Sequence, residues 1–250
     1  MDKEDSDLGV HVHLFRDRCT VSVDTSGSSL HKRGWRRFQG RAPLSETLAA
    51  AVVLFSGWDQ RSPLLDPFCG SATLLIEAAL LARGIPPGVF REQFGFERFT
   101  DHDARAYRRL REDIERRGRQ SRPRRLILRG TEADPETLAG ARLNLEATGL
   151  ADAIELDSGD ARSAEFRPGW NAWITTNPPY GQRVGAREDL RSLYRAFGAR
   201  LREQCEGYHL ALLSGNERLE RDLGLPVGRV VELQNGALPC RLLVLEIPRG

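Results

Sequence analysis

Short apolar runs alternate with segments of helical spacing along most of the 250-residue chain. The strand-like runs lie at residues 64–66, 126–130, 154–156, 173–176 and 209–213, with helical patterns between them. This alternation is typical of a parallel sheet whose connections are helices. Two further runs, 230–233 and 242–247, flank Asn235-Gly236, a residue pair favoured in tight hairpin turns. The pattern predicts an α/β fold with a seven-stranded, mostly parallel sheet, a terminal antiparallel hairpin and helices on both faces.

The N-terminal part of the chain has a different pattern. Residues 1–9 are polar and acidic, and we expect them to form a disordered tail. Residues 10–15 and 19–23 alternate apolar and polar positions around a charged turn, which predicts a β-hairpin. His11 and His13 share one face of this hairpin, and we interpret them as its polar face rather than as metal ligands. The chain is thus divided into the tail (1–9), a hairpin with a basic linker (10–40) and a main domain (41–250).

The composition narrows the range of functions only slightly. A net charge of +2 gives no global field that would attract nucleic acid. No apolar run is long enough to cross a bilayer. The cysteines disfavour structural zinc and are typical of a reducing compartment, because they form no CxxC pair: Cys19, Cys69, Cys205 and Cys240. We expect a soluble cytoplasmic protein with no metal ion and no membrane partner.

The chain is organised around residues 64–77, where a short strand, a Pro/Gly/Ser turn and an apolar helix follow one another. Proteins of the α/β class bind cofactors at such turns, because the N–H groups that open the helix remain free for a ligand. Asp66 at the strand end would repel a pyrophosphate and suits an amino-bearing ligand. An ordinary strand-to-helix turn is the alternative. The candidate cofactor-binding residues of this stretch are Asp66, Pro67, Phe68, Cys69, Gly70, Ser71 and Thr73.

Acidic residues also follow the next two predicted strands. Glu132 comes after the strand at 126–130, where a carboxylate can accept hydrogen bonds from both hydroxyls of a ribose. Its alternative role is to favour the positive end of the following helix. Asp160 comes after the strand at 154–156 and is placed to accept a hydrogen bond from an adenine amino group.

A second motif, Asn177-Pro178-Pro179-Tyr180, directly follows the strand at 173–176. Paired prolines hold a rigid, extended bend. They fix Asn177 at the carboxyl end of a strand, where open α/β sheets place their chemistry. An ordinary loop is the alternative, and the presence of the first motif argues against it. These residues are therefore the candidate catalytic group, and Asn177 is also a candidate cofactor contact.

Two basic segments are candidates for contact with nucleic acid. Residues 29–37 interleave positive charge, glycine and tryptophan, so Lys32, Arg33 and Arg36 could bind phosphates, although a solvated basic loop is the alternative. Residues 116–125 form a second basic cluster. Such clusters are more often a solvated face than a binding site.

Taken together, the two motifs, with Glu132 and Asp160 between them, make the chain resemble class I S-adenosylmethionine-dependent methyltransferases that act on amino groups. Residues 29–36, 42–51, 75–79 and 235–241 extend the resemblance to the methyltransferase domain of the bacterial guanine-N2 methyltransferases of large-subunit ribosomal RNA, a THUMP-associated family. The resemblance runs from about residue 20 to the end of the chain. It implies a Rossmann-like class I methyltransferase fold and S-adenosylmethionine as cofactor, and it adds Thr47 and Ala133 to the cofactor-binding residues.

The activity implied by the resemblance is transfer of the sulfonium methyl group to N2 of a guanine in RNA, with 23S ribosomal RNA as the expected substrate. Asn177 and the Pro178 carbonyl would accept hydrogen bonds from the target amine, while Tyr180 stacks on a flipped-out base. The same motif serves adenine N6 of RNA or DNA, cytosine N4, tRNA guanine and protein glutamine. A non-catalytic module that binds cofactor or RNA is an alternative of another class.

Two departures from the family pattern affect these expectations. The family commonly has glycine where this chain has Ala72, and the extra Cβ is harmless if the backbone keeps a negative φ. Relatives also carry an RNA-binding THUMP domain before this region, which this sequence does not contain. Either the chain is an excised domain, or it finds its RNA through other surfaces or through a separate RNA-binding domain or protein. In both cases we expect RNA as the partner.

Overall fold

The computed structural model describes residues 8–40, 43–120, 126–180 and 187–249. Most of the predicted N-terminal tail lies outside these ranges. The predicted basic cluster at 116–125 also lies largely outside them, since its side chains are described only at residue 116.

Nine strands and six helices are present in the described ranges. The strands are β1 (Gly9–Phe15), β2 (Arg18–Asp24), β3 (Leu64–Asp66), β4 (Leu128–Glu132), β5 (Ile154–Ser158), β6 (Trp173–Thr176), β7 (His209–Ser214), β8 (Arg229–Asn235) and β9 (Leu238–Glu246). The helices are α1 (Glu46–Ser56), α2 (Thr73–Ala82), α3 (Ala104–Gln120), α4 (Pro135–Thr148), α5 (Arg187–Gln204) and α6 (Glu217–Asp222). Among these described residues, no helix is both long and apolar enough to span a bilayer.

The main sheet has the predicted architecture. Its strand order is β5-β4-β3-β6-β7-β9-β8, and β9 runs antiparallel to both of its neighbours. The strands β3 to β7 are parallel, so their carboxyl ends meet at one edge. The order reverses at β3, from which β4 and β6 lie on opposite sides. Ligands of open α/β sheets bind at the carboxyl edge next to such a reversal.

Helices cover both faces of the sheet, as predicted. One core joins α1, α2 and α4 to the sheet through side chains such as Val52, Leu75 and Leu145. The other core joins α5 and α6 to the opposite face through Tyr194 and Leu219. Each helix presents apolar side chains at helical spacing, so removing them from water stabilises the layered arrangement.

The linker before α1 is part of the first core rather than a loose connection. Trp35 is 1% exposed and packs within that core. The side chain of Asn144 on α4 accepts hydrogen bonds from the backbone N–H groups of Arg37 and Phe38, at 2.7 and 2.9 Å. Its amide donates to the carbonyl of Ser71 at 3.1 Å. The buried side chain of Asn144 thus holds the linker against the loop that precedes α2.

The predicted N-terminal hairpin is present as the two-stranded ribbon β1–β2. The apolar residues of one of its faces are exposed, including Val12 at 66% and Leu14 at 72%. The ribbon pairs with no strand of the main sheet among the described residues. Its base is attached where the N–H of Phe96 donates to the carbonyl of Thr25 at 2.9 Å.

Candidate functional site

The first motif forms a tight loop between β3 and α2. Pro67 follows the strand, and the N–H of Cys69 donates to the Thr131 carbonyl at 3.0 Å, which ties the loop to the end of β4. The close approach depends on Gly130, because a Cβ there would lie 2.8 Å from the Cβ of Cys69. Local sequence therefore places the loop directly against the neighbouring parallel strand.

Ala72 precedes α2 with a left-handed backbone, at φ 64° and ψ 21°. Left-handed geometry is unfavourable for any residue with a Cβ. The condition under which alanine would be harmless here, a negative φ, is therefore not met. Helix α2 begins at Thr73 rather than at residue 72 for the same reason.

Glu132 holds the same loop from the end of β4. One of its carboxylate oxygens accepts a hydrogen bond from the N–H of Gly70 at 3.0 Å, and the other accepts from the N–H of Asp134 at 2.9 Å. Asp134 in turn caps α4, because its carboxylate accepts from the N–H of Thr137 at 2.9 Å. Each carboxylate oxygen of Glu132 has a further lone pair, so the predicted contact with a ribose is compatible with this structural role.

The two motifs are joined by a buried hydrogen bond. Thr176 donates from its hydroxyl to Oδ1 of Asp66 at 2.7 Å. Thr176 immediately precedes Asn177, so this bond fixes the start of the second motif against the end of the first. Both partners are almost completely buried, with Asp66 2% and Thr176 0% exposed.

Asp66 is the main ionisable group of this junction. Complete burial raises the pKa of its carboxyl to about 7, although hydrogen bonds from Thr176 and from the N–H of Phe68 act in the opposite direction. Its Oδ2 atom is buried and has no hydrogen-bond partner among the described residues. A buried acceptor in this state is suited to a ligand that brings a positive charge or a donor.

Asn177 also has an acceptor without a partner. Its Oδ1 atom is buried and unbonded within the described part of the chain. The preceding strand and the buried Pro178 hold it at the carboxyl edge of β6. An amide oxygen in this position can accept a hydrogen bond from an amino group.

Tyr180, the last residue of the second motif, lies against the β8–β9 hairpin. Its hydroxyl is 3.1 Å from Nδ2 of Asn235, which donates to it, and 3.5 Å from Sγ of Cys240. A Cβ at Gly215 would lie 2.8 Å from the tyrosine ring, so glycine is required there for the packing. Burial raises the pKa of Tyr180 to about 12. In this arrangement the ring packs on the hairpin, and its expected stacking on a target base stays a prediction.

A cavity of about 560 Å³ connects the two motifs at the carboxyl edge of the sheet. It is lined by most of the first motif and by Asn177; the residues predicted from the sequence that line it are Asp66, Phe68, Cys69, Gly70, Ser71, Thr73 and Asn177. The aromatic ring of Phe68 is held in place by Phe197, with ring centroids 5.1 Å apart. The cavity is therefore built on residues whose positions are fixed by the two cores.

Several residues that line this cavity were not predicted from the sequence. They come from the linker and from the first turn of α4, and they are Phe38, Gln39, Gly40, Asp134, Glu136 and Thr137. The linker residues reach the cavity because Asn144 holds their backbone, a contact between positions more than 100 residues apart.

Five predicted cofactor residues do not line this cavity, namely Thr47, Pro67, Glu132, Ala133 and Asp160. Thr47 is exposed on the first turn of α1, and Ala133 is exposed between β4 and α4. Asp160 forms an ion pair with Arg162, whose guanidinium holds the pKa of that carboxyl below its usual range. Their predicted contacts with the cofactor remain predictions.

A larger cavity of about 790 Å³ lies along β4 and β5, and Asp66, Pro67 and Asp160 are among the residues that line it. It is lined by exposed side chains of the strands, among them the Arg129–Glu155 ion pair at 2.7 Å. It contains neither Asn177 nor the loop from Cys69 to Thr73. The smaller cavity, which contains residues of both motifs, is therefore the candidate site.

The predicted RNA-binding residues of the linker have different surroundings. Arg33 is 8% exposed and pairs with Glu77 at 3.3 Å. Arg36 pairs with Glu46 at 2.8 Å. Lys32 is exposed. Burial thus gives the two arginines a structural task, and only Lys32 keeps a side chain open to a large ligand.

Arg36 also supports the cofactor loop directly. Its guanidinium donates to the hydroxyl of Ser71 at 3.2 Å, to the hydroxyl of Thr73 at 3.0 Å and to the carbonyl of Leu44 at 3.0 Å. The basic linker, the start of α1 and the first turn of α2 therefore meet at one side chain.

Comparison with known proteins agrees with this geometry. Residues 33–243 match the family model described as UPF0020, RMKL-like, methyltransferase domain. The chain is 40% identical over 254 residues to the ribosomal RNA large subunit methyltransferase K/L of Pseudomonas paraeruginosa. That match covers 99% of this chain but only 35% of the relative, so the chain spans about a third of the relative's length.

Solved structures show the same fold. The SMU.472 structure, determined as a complex with SAH (S-adenosylhomocysteine), superposes with a TM-score of 0.87 and 29% identity over 97% of this chain and 62% of that one. A predicted N6-adenine-specific DNA methylase from Listeria monocytogenes gives a TM-score of 0.83 and 30% identity, over 96% of this chain and 60% of that one.

The family match extends over most of the described residues and includes both motifs and the cavity between them. This chain belongs to the RMKL-like methyltransferase domain family, whose cofactor is S-adenosylmethionine.

Proposed function

We propose that the chain transfers a methyl group from S-adenosylmethionine to the exocyclic N2 atom of a guanine in RNA, with 23S ribosomal RNA as the substrate. The observation that carries the proposal is the shared cavity of the two motifs, joined by the Thr176–Asp66 hydrogen bond of 2.7 Å. A cofactor loop and an acceptor for an amine then face the same space. The large-subunit RNA methyltransferase relative supports RNA as the substrate class.

The residues of the cavity fit the proposed cofactor. Asp66 offers a buried, unbonded oxygen to an ammonium group, and Asp134 and Glu136 add negative charge to the lining. This charge suits a ligand that carries both an ammonium and a sulfonium. Glu132 remains the candidate for the ribose hydroxyls. When bound, the cofactor supplies the reactive methyl group, and the protein supplies orientation and electrostatics.

Asn177 and the Pro178 carbonyl would accept hydrogen bonds from the target amine and direct its lone pair toward the methyl carbon. Alignment of this kind lowers the barrier because the reacting groups no longer have to find each other in solution. The base must be unpaired or flipped out to enter the cavity. Base recognition and the stacking by Tyr180 belong to this proposal.

Nucleoside mass spectrometry tests the proposal. Ribosomal RNA that lacks its native modifications is incubated with the purified chain and methyl-labelled S-adenosylmethionine, and the labelled nucleoside is identified. N2-methylguanosine is expected. At saturating S-adenosylmethionine, Asn177→Ala should lose most of the turnover, and Gln93→Ala, which removes an exposed amide, should retain it. Wild-type turnover in Asn177→Ala would remove the proposed role of this residue.

Other labelled products would favour the alternatives. The Listeria structure makes adenine N6 the specific rival, and label on N6-methyladenosine would keep the site and replace the substrate. No label on any nucleoside despite measured cofactor binding would favour a protein substrate or a non-catalytic module. The relative is about three times as long as this chain. Target selection by the whole protein, with a separate RNA-binding domain or protein as partner, therefore belongs to the proposal.

A further inference from the structure

Helix α3 presents a stripe of arginines that the proposed chemistry does not use. Arg105, Arg108 and Arg109 are all exposed. Their spacing of three and four residues places them on one side of the helix. Arg105 and Arg109 are about 6 Å apart along the helix axis, at 1.5 Å per residue. We call these three residues the α3 stripe.

The opposite side of α3 is anchored, so the direction of the stripe is fixed. The ring of Tyr107 packs edge-on against Phe96 with centroids 5.0 Å apart. Arg111 donates to the carbonyl of Val89 at 3.0 Å. The segment that carries Val89 also contains the buried Arg91, whose guanidinium donates to the Lys32 carbonyl at 2.9 Å. The helix is thus connected through buried contacts to the linker that supports the cofactor loop.

Ion pairs with acidic side chains hold many of the described arginines in place. Arg33, Arg36, Arg83, Arg129, Arg162, Arg191, Arg195, Arg200 and Arg241 all form ion pairs. Within the described ranges, no ion pair involves the α3 stripe. This side of α3 therefore carries three guanidinium groups without an ion pair among the described residues and one exposed carboxylate, that of Glu112 one turn further along.

We propose that the α3 stripe binds RNA phosphates and holds the nucleic acid outside the cofactor cavity. The inference rests on the proposed function, because it takes RNA as the substrate. The cavity itself is lined by Asp134 and Glu136, and their carboxylates repel a phosphate backbone. A positive surface elsewhere on the chain is needed to offset that repulsion. Arginine suits phosphate because its planar group donates two parallel hydrogen bonds.

The experiment compares two double variants that each remove two positive charges. Arg105→Gln/Arg109→Gln alters the α3 stripe. Arg61→Gln/Arg142→Gln alters exposed arginines elsewhere that form no ion pair in the described ranges. Affinity for unmodified ribosomal RNA is measured between 50 mM and 200 mM salt, together with affinity for S-adenosylhomocysteine. Equal loss of charge in the two variants removes the effect of net charge from the comparison.

The α3 variant is expected to bind RNA about tenfold more weakly, and the loss should be the same for unrelated RNA sequences. The slope of log K against log salt concentration should fall in magnitude by about 0.7 to 0.9 for each lost phosphate contact. The apparent KM for RNA should rise while kcat and cofactor affinity stay unchanged. The control variant should retain the wild-type slope.

The inference is overturned if both variants lose affinity equally, or if the α3 variant keeps the wild-type slope and KM. Weaker binding of polyglutamate by the α3 variant, with unchanged binding of RNA, would reassign the stripe to an acidic protein partner. If the wild-type chain methylates no RNA, the proposed function fails, and the salt slopes then decide separately whether the α3 stripe binds phosphate.

Discussion

Two arginine-rich regions of this chain have opposite surroundings. In the linker, Arg33 and Arg36 are turned inward onto Glu77 and Glu46. On α3, the arginines of the α3 stripe face solvent. The sequence shows similar charge in both places, whereas the structure shows that only the first supports the cofactor site. Burial and partner, rather than charge density, therefore separate a structural arginine from one available to a ligand.

The largest expected effect concerns Asp66, the buried carboxyl group that joins the two motifs. Its folded-state pKa is about 7, against an ordinary value of 3.8, so the folded protein without cofactor retains a proton that the unfolded chain releases. This contribution to the free energy of unfolding is complete below pH 3.8 and is lost as the pH rises to about 7. At most about 4 kcal/mol is involved, at 1.36 kcal/mol per pKa unit.

Denaturant unfolding at several pH values, with and without Asp66→Asn, measures this effect. The variant should lose the fall in stability between pH 4 and pH 7, and it should bind S-adenosylmethionine more weakly. Asp157→Asn, on the exposed side of β5, is the matched control and should retain the wild-type pH profile. Parallel pH profiles for the wild type and Asp66→Asn would contradict a proton-retaining Asp66.

Arg36→Ala tests whether the inward-facing arginines of the linker are structural. The substitution leaves Glu46, whose side chain is 5% exposed, without its partner, and it removes the donors to Ser71 and Thr73. Breaking a buried pair in this way costs about 3 kcal/mol. The loss should appear in the free energy of unfolding and in cofactor affinity. Arg37→Ala removes an exposed neighbouring side chain and is the control. Equal losses of stability in both variants would contradict a structural role for Arg36.

Ala72→Gly tests whether the left-handed backbone at residue 72, in the loop between β3 and α2, costs stability. Relief of the left-handed backbone at φ 64° should stabilise the protein by about 1 kcal/mol. Ala78→Gly, inside the helix that follows, should have the opposite sign, since glycine is unfavourable in a helix by about 1 kcal/mol and a buried methyl group is also lost. Thermal melting of the two variants measures both changes in stability. A destabilised Ala72→Gly would show that the Cβ makes contacts worth more than the strain.

The smallest effect on stability is expected from the outward-facing arginines of α3. Arg105→Gln/Arg109→Gln should change the free energy of unfolding by less than about 0.5 kcal/mol, because exposed charges without partners contribute little. Denaturant unfolding at low and high salt is the measurement. A loss as large as that of Arg36→Ala would mean that the α3 stripe is structural and would remove the contrast between the two regions.

The sequence was informative about the sheet because buried parallel strands are short apolar runs bounded by turn residues. The predicted runs at 64–66 and 173–176 coincide with β3 and β6, and the terminal hairpin forms around Asn235-Gly236 as expected. Helix starts were less accurate. Helix α4 begins at Pro135 because Asp134 caps it, and apolar periodicity does not report such a start.

The two site motifs were also predictable, since each is contiguous in sequence. What could not be read from the sequence were contacts between distant segments. The bond from Thr176 to Asp66 spans 110 positions, and the position of Phe38 depends on Asn144. For the same reason Arg33 and Arg36 were interpreted as free cations, since their acidic partners lie on separate helices. The sign of the φ angle at Ala72 likewise depends on the packing around the loop.

The ribbon β1–β2 has its own opening equilibrium. It shares no ladder hydrogen bonds with the seven-stranded sheet among the described residues, and isolated two-stranded ribbons are marginally stable in water. Its backbone amides should therefore exchange with deuterium through local opening, many orders of magnitude faster than those of β3 and β6, which open only with the domain. A spectroscopic probe placed on this ribbon would report its local opening and not the unfolding of the methyltransferase domain.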